Sequence, residues 1–133
     1  MFEQYLVCEE GFRNVEDNGE IIGFELKIRI PYYRGIALSL INHIELEVNG
    51  TAFLQDDMVF TVNSGSFPYK ELATVINNRW EFGEKATLFV RKQGGLNPGE
   101  HQVRVFVSLR ISYLPWPNIG ENQKILTLEE NIS

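Results

Sequence analysis

Cysteine occurs once, at Cys8, so no internal disulfide can form and the fold must hold without one. Histidine occurs twice, at His43 and His101, with no close His-x-His pair, which is thin material for the multi-histidine metal centre of a cupin-type enzyme. Basic residues are the minority: 12 Lys and Arg stand against 18 Asp and Glu, for a formal charge of −6. That balance argues against nucleic acid, which needs a basic stripe, and against an anionic membrane surface. No apolar run approaches the length of a transmembrane helix. The opening Met1-Phe2-Glu3-Gln4 is acidic with no basic flank, so a secretory signal is not expected and a cytoplasmic setting is. A nucleotide-type glycine loop is missing too. Gly94-Gly95-Leu96-Asn97-Pro98-Gly99 lacks a Lys-Ser/Thr ending and precedes a strand pattern, so it reads as a turn.

What the sequence has instead is period-two alternation. Across 133 residues, 44% hydrophobic, it supplies one core. From Ile22 to Ile30, the apolar Ile22, Phe24, Leu26, Ile28 and Ile30 alternate with Gly23, Glu25, Lys27 and Arg29. The same pattern predicts strands at His43 to Val48, Met58 to Val62, Ala86 to Lys92 and His101 to Tyr113, the last with Val103, Val105, Val107, Leu109, Ile111 and Tyr113 facing one way. Gln4 to Glu9 reads as a first strand, continued by Gly11 to Val15 after a bend. Asn49-Gly50 is a hairpin signal with Thr51 to Leu54 returning, and Asp17-Asn18-Gly19 is a second turn. Tyr69 to Ile76 is either a helical turn, with Leu72, Val75 and Ile76 inward, or extended. Together these predict an all-β, antiparallel β-sandwich of seven or eight strands, immunoglobulin-like or jelly-roll-like. The expected domain is residues 1–114. Residues 115–133 then form a C-terminal extended segment, its end either a last strand or an arm that orders on a partner.

Residues with chemistry are sparse. Cys8 lies between apolar Leu6 and Val7 and acidic Glu9 and Glu10, a setting for a small buried side chain and not for a thiolate. Glu81 and Glu84 flank Phe82-Gly83, but sequence proximity does not supply the cleft that a glycosidase pair needs. His101, beside Glu100 at a strand entrance, reads as a solvated or turn-stabilising imidazole. No residue is therefore assigned a catalytic or metal-ligating role. Trp80 is either a sugar-stacking platform or a core residue sharing its face with Phe82, and the core reading is preferred.

Binding is better represented. Pro31 ends the Ile22 to Ile30 strand, so Tyr32, Tyr33 and Arg34 fall at a sheet rim where Gly35 allows a sharp turn. Tyr and Arg are enriched where proteins hold other molecules. These three, with Trp116, are expected to meet a partner, unless one tyrosine folds back over the core. Phe89 and Phe106 occupy otherwise polar registers, and if both face outward they form an apolar spot among arginines; the other reading is a register shifted by a bulge.

Several blocks carry a family resemblance: Gly11-Phe12-Arg13-Asn14, Lys27-Ile28-Arg29-Ile30-Pro31-Tyr32-Tyr33-Arg34-Gly35, Arg79-Trp80-Glu81-Phe82-Gly83-Glu84, Gly99-Glu100-His101 and Arg110-Ile111-Ser112-Tyr113. From about Gly11 to Tyr113 the chain resembles the small (beta) subunit of bacterial C-glycoside deglycosidases. The resemblance implies an accessory β-sandwich subunit, without catalytic residues or cofactor of its own, in a hetero-oligomeric carbon–carbon lyase complex. It further implies a large alpha subunit, a TIM barrel with a divalent metal, manganese, that cleaves the C–C bond of 3-oxo-C-glycosides by β-elimination. The competing expectation is a free-standing carbohydrate-binding module using Trp80, Tyr32 and Tyr33 as platforms.

Overall fold

In the computed structural model, residues 3–111 and 113–132 are described, with backbone alone at 3, 131 and 132. Met1 and Phe2 of the opening, Ser112 of the Arg110 to Tyr113 block and Ser133 of the tail lie outside the described residues. The chain opens with β1 (Arg13–Asp17), β2 (Glu20–Ile28) and β3 (Ile36–Ala37). There follow β4 (Ile41–Val48), β5 (Thr51–Ala52), β6 (Met58–Val62) and β7 (Gly65–Pro68). The second half holds β8 (Arg79–Trp80), β9 (Ala86–Arg91), β10 (Glu100–Leu109), β11 (Asn118–Thr127) and β12 (Glu129–Ile132). One sheet has the order β12-β1-β2-β9-β6-β7, the other β11-β10-β4-β5, and β3 pairs with β8 alone. Pairing is antiparallel except for β1 with β12, which run parallel. The expected all-β sandwich is what forms. Its strand list is longer than expected because β3 and β8 are two-residue strands and β7 has four residues, too short to leave a clear alternation, and because the tail adds β11 and β12.

The core lies where the alternating rows of the two sheets meet. Phe24, Leu26 and Ile28 from β2 and Leu88 and Val90 from β9 are wholly buried, as are Val103, Val105, Val107 and Leu109 from β10. Each such side chain contributes roughly 1.5–3 kcal/mol by leaving water. Phe12 bridges the sheets, edge-on to Phe24 at 6.3 Å and to His101 at 5.9 Å between ring centroids. The Asn49-Gly50 hairpin forms as expected. Asn49 (φ 53) and Gly50 (φ 82) are both left-handed, as a two-residue turn of this type demands.

Four expectations need correction. The segment Gln4 to Glu9 is not a strand: a 3₁₀ turn spans Glu3–Tyr5, and only Val7 bridges β2, at Ile28. Leu6, Val7 and Cys8 are all buried, because this stretch closes the gap between the sheets and so shows both its faces to apolar surroundings. It bonds β2 through its backbone, and β11 through Asn122 Oδ1, which accepts from Val7 N (3.0 Å), and Lys124 Nζ, which donates to Val7 O (2.7 Å). Second, the run from His101 to Tyr113 stops pairing at Leu109. The register against β4 shifts between Ser108 and Leu109, so Tyr113 leaves the core row and is exposed. Third, Phe82 does not share the buried face of Trp80; β8 ends at Trp80 and Phe82 sits exposed in the turn beyond. Fourth, of the two readings of Tyr69 to Ile76 the helical turn is the one that forms, a 3₁₀ helix over Tyr69–Thr74 with Leu72 buried, but it is too short to bring Ile76 inward, and Ile76 is exposed. The tail resolves into strands: β11 pairs with β10 along its whole length and β12 lies beside β1.

Candidate docking end of the sandwich

The end of the sandwich where β2 and β10 finish gathers three of the exposed aromatic residues, Tyr33, Tyr113 and Trp116. Pro31 follows β2, and Asn118 Nδ2 donates to its carbonyl (3.0 Å), tying the start of β11 to the rim. Gly35 then lies against β8: a Cβ there would come within 2.9 Å of the Trp80 carbonyl and 3.0 Å of Glu81 Cα. Trp80 itself is wholly buried, packed edge-on to Phe60 at 5.1 Å, and its Nε1 donates to Glu84 O (3.1 Å). It is core, and no platform for a sugar. Glu84 secures the same end, its carboxylate accepting from Asn63 N (2.5 Å) and Glu81 N (2.9 Å). It works as a turn clamp, with Glu81 pointing elsewhere to Arg79 (3.5 Å).

On this frame stand three tyrosines whose hydroxyls meet. Tyr32 is buried, so one tyrosine does fold back over the core, and its hydroxyl bonds that of Tyr113. Tyr33 is exposed, and its hydroxyl bonds Tyr113 Oη at 2.8 Å. The Tyr32 and Tyr33 rings are 4.5 Å apart, and the Arg34 guanidinium lies 4.9 Å above the Tyr33 ring, a cation–π contact. The hydrogen bond with Tyr113, then burial, hold the Tyr32 hydroxyl well above its ordinary pKa. Tyr33 is lowered, first by its bond with Tyr113, then by Tyr32, with Arg34 adding positive charge nearby. Both bonds meet at the Tyr113 hydroxyl, and in each of them either oxygen can be the donor.

Beside the hydroxyls runs an open groove of about 230 Å³, with Tyr32, Tyr113, Arg34 and Arg79 on its walls and Ile36, Leu40 and Ile111 among its apolar lining. Trp116 is 66% exposed and stands two residues before Asn118, the residue that grips Pro31. Ile119, next along β11, is also exposed. Of the residues proposed from sequence, Tyr32, Tyr33 and Arg34 are thus brought together, with Trp116 on the segment anchored beside them. Phe89 and Phe106 are not. Phe89 belongs to β9 of the six-stranded sheet and Phe106 to β10 of the four-stranded one, each half-buried on its own outward face. Their outward registers are as the alternation implies, but they lie on opposite outer faces of the sandwich and make no common spot. Tyr113 is the residue that sequence reasoning placed wrongly, and the Arg110 to Tyr113 block was the available signal.

The remaining polar residues have structural partners. His101 is buried; its Nε2 donates to Asn97 O (2.7 Å) and its Nδ1 accepts from Asn49 Nδ2 (2.9 Å), which makes it a turn-stabilising imidazole. His43 Nε2 bonds Glu45 at 2.8 Å on the outward face of β4. Cys8 is buried, and burial pushes its thiol pKa up, as an unreactive thiol requires. Arg104 is gripped on the outer face by Glu47 (2.9 Å) and Glu121 (2.6 Å from Nε), which raise its pKa.

Fold and end surface together define a class: an antiparallel β-sandwich with an aromatic, arginine-bearing end. Among the described residues it has no group of three or more His, Cys, Asp or Glu arranged to hold a metal ion, and no helix long and apolar enough to cross a membrane. Comparison with known proteins narrows the class. The family described as C-glycoside deglycosidase beta subunit matches residues 2–113. A C-glycoside deglycosidase beta subunit from Eubacterium cellulosolvens is 34% identical over 114 residues, covering 85% of this chain and 78% of the relative. The 3'-dehydrocarminate deglycosidase beta subunit of a Microbacterium species is 33% identical over 116 residues, 86% of this chain and 83% of the relative. A C-glycoside deglycosidase beta subunit from Arthrobacter globiformis is 32% identical over 89 residues, 67% of this chain and 68% of the relative. The chain belongs to the C-glycoside deglycosidase beta subunit family.

Proposed function

We propose that this chain is the accessory component of a cytoplasmic C-glycoside deglycosidase built from two kinds of subunit, docked on its large partner through the Tyr33–Arg34–Tyr113–Trp116 end. The observation that carries the reading is the exposure of these four side chains at one end of a chain of this family. Aromatic and arginine side chains in the centre of an interface can each contribute ~2 kcal/mol or more, which solvated rim residues do not. In this reading the partner is a TIM barrel that holds the catalytic groups. Its substrate is a 3-oxo-C-glycoside, in which the ketone acidifies the proton on C2. A base takes that proton, the electron pair left on C2 forms a C1–C2 double bond as the C1–aglycone bond breaks, and the aglycone carbon leaves with the bonding pair and takes up a proton. A divalent metal, manganese in this reading, supplies polarisation of the ketone oxygen.

The experiment is reconstitution. The purified chain, the purified large subunit and their mixture are each given a 3-oxo-C-glycoside, and aglycone release is followed. Release by the mixture, with none by this chain alone, is the expected result. A rate from this chain alone near that of the mixture overturns the accessory assignment.

A further inference from the structure

The tyrosine cluster leaves something over. Three phenolic hydroxyls carry three hydrogens, and the two bonds Tyr32–Tyr113 and Tyr33–Tyr113 use two of them. One O–H is therefore unspent. Hydroxyl hydrogens rotate, so it can sit on any of the three: on Tyr32 or Tyr113 it is on the wall of the groove, on Tyr33 just outside it. A donor at the end of such a chain is strengthened by the bonds behind it.

Positive charge flanks the same place. Arg34 pairs with no carboxylate among the described residues and rests on the Tyr33 ring. Arg79 has a single 3.5 Å ion pair with Glu81, both side chains more than half exposed. Arg104, on the outer face, is held by three carboxylates. In a chain of net charge −6, two under-neutralised guanidinia beside a spare hydroxyl donor make a local site for an anionic oxygen. The rest of the groove is apolar, with Ile36, Leu40 and Ile111 in its lining. Its volume of about 230 Å³ exceeds the ~150 Å³ that suffices for a benzene ring.

We infer that this groove binds an aromatic ring bearing an anionic oxygen, a phenolate or an aryl carboxylate, with the ring on Ile36, Leu40 and Ile111 and the oxygen toward Arg34, Arg79 and the spare tyrosine hydroxyl. The site stands on the geometry of this chain alone. Only one further identification rests on the function proposed above: within the assembled enzyme, the ring is the aglycone part of the substrate.

The test uses the full chain without its partner, so its outcome is separate from subunit association. 4-Hydroxybenzoate is titrated into labelled protein and followed by NMR at the Ile36 and Ile111 methyls and the Arg79 Nε–H. Neutral 4-hydroxybenzamide and acetate are the comparison probes. The expected result is saturable movement of those signals with 4-hydroxybenzoate, and much weaker binding of either comparison probe. Tyr113→Phe and Arg79→Gln should each weaken binding by about tenfold, the loss of one charge-assisted hydrogen bond. Should Tyr113→Phe fail to fold, Arg79→Gln carries the test, since that side chain is more than half exposed. Equal binding of the benzamide removes the anion from the proposal. Equal binding of acetate removes the ring, and points to a carboxylate side chain of the partner. Unmoved signals, or undiminished binding in the folded variants, overturn it altogether.

Discussion

Replacing Asn14 by alanine should cost the domain about 2–3 kcal/mol, although Asn14 touches neither the docking end nor the centre of the core. Its side chain, 4% exposed, splints the loop between β9 and β10: Nδ2 donates to Leu96 O (2.9 Å) and Oδ1 accepts from Leu96 N (2.8 Å). Each bond is worth ~1 kcal/mol net, and a buried backbone group left without a partner costs ~1–3 kcal/mol. Open grooves of about 260 and 510 Å³ flank the loop, so water reaches part of the vacated space and the cost stays near the lower limit. For a chain of this length the loss corresponds to a fall in Tm of about 10 °C. Urea denaturation followed by tryptophan fluorescence measures it, since buried Trp80 reports unfolding while exposed Trp116 adds a nearly constant background. Asn14→Asp keeps the acceptor for Leu96 N but turns a carboxylate toward Leu96 O, so it should be no better than alanine. A loss below about 0.5 kcal/mol for Asn14→Ala would mean that the His101 bond to Asn97 O already holds the loop, and the reasoning would fail.

Gly35→Ala should destabilise the domain by about 1–3 kcal/mol and weaken partner association, because its Cβ meets backbone atoms of Trp80 and Glu81 that cannot swing aside; unchanged stability would show that β3 and β8 separate freely. Cys8 should resist an aryl disulfide reagent in the native chain and react promptly in denaturant, and fast native labelling would contradict its burial. Because burial raises the Cys8 pKa, the folded state holds this proton more tightly than the unfolded state does. The associated stability is present below the ordinary thiol range and lost as pH rises through the raised value, so Cys8→Ala should flatten the alkaline fall in Tm.

The strands that could be read from the sequence are those with one face on the core and the other in water: β2, β4, β6, β9 and β10. β11 stayed open between a last strand and an arm because its inward row is Gly120, Asn122, Lys124 and Leu126. Two of those four are polar, as they bond the N-terminal segment instead of packing on the core. That segment reads as a strand from its short apolar run but is not one: Leu6, Val7 and Cys8 are all buried, so no outward polar row alternates with an inward one. At the docking end, Pro31 announced that the side chains after it would leave the sheet. The involvement of Tyr113 was hidden by the register shift at Ser108 and Leu109, a feature of pairing with β4 that alternation in β10 alone cannot reveal. Phe89 and Phe106 were legible as outward residues, but which sheet each strand joins is decided by long-range pairing.

The most direct measurement is the dissociation constant between the large subunit and this chain bearing Tyr33→Ala with Arg34→Ala. Tyr33 is 48% exposed and Arg34 is exposed beside it, so the double variant should fold and melt as the parent does. Loss of two interface anchors at ~2 kcal/mol each predicts binding weaker by about a hundredfold or more. An unchanged dissociation constant for the folded variant would contradict docking through this end of the sandwich.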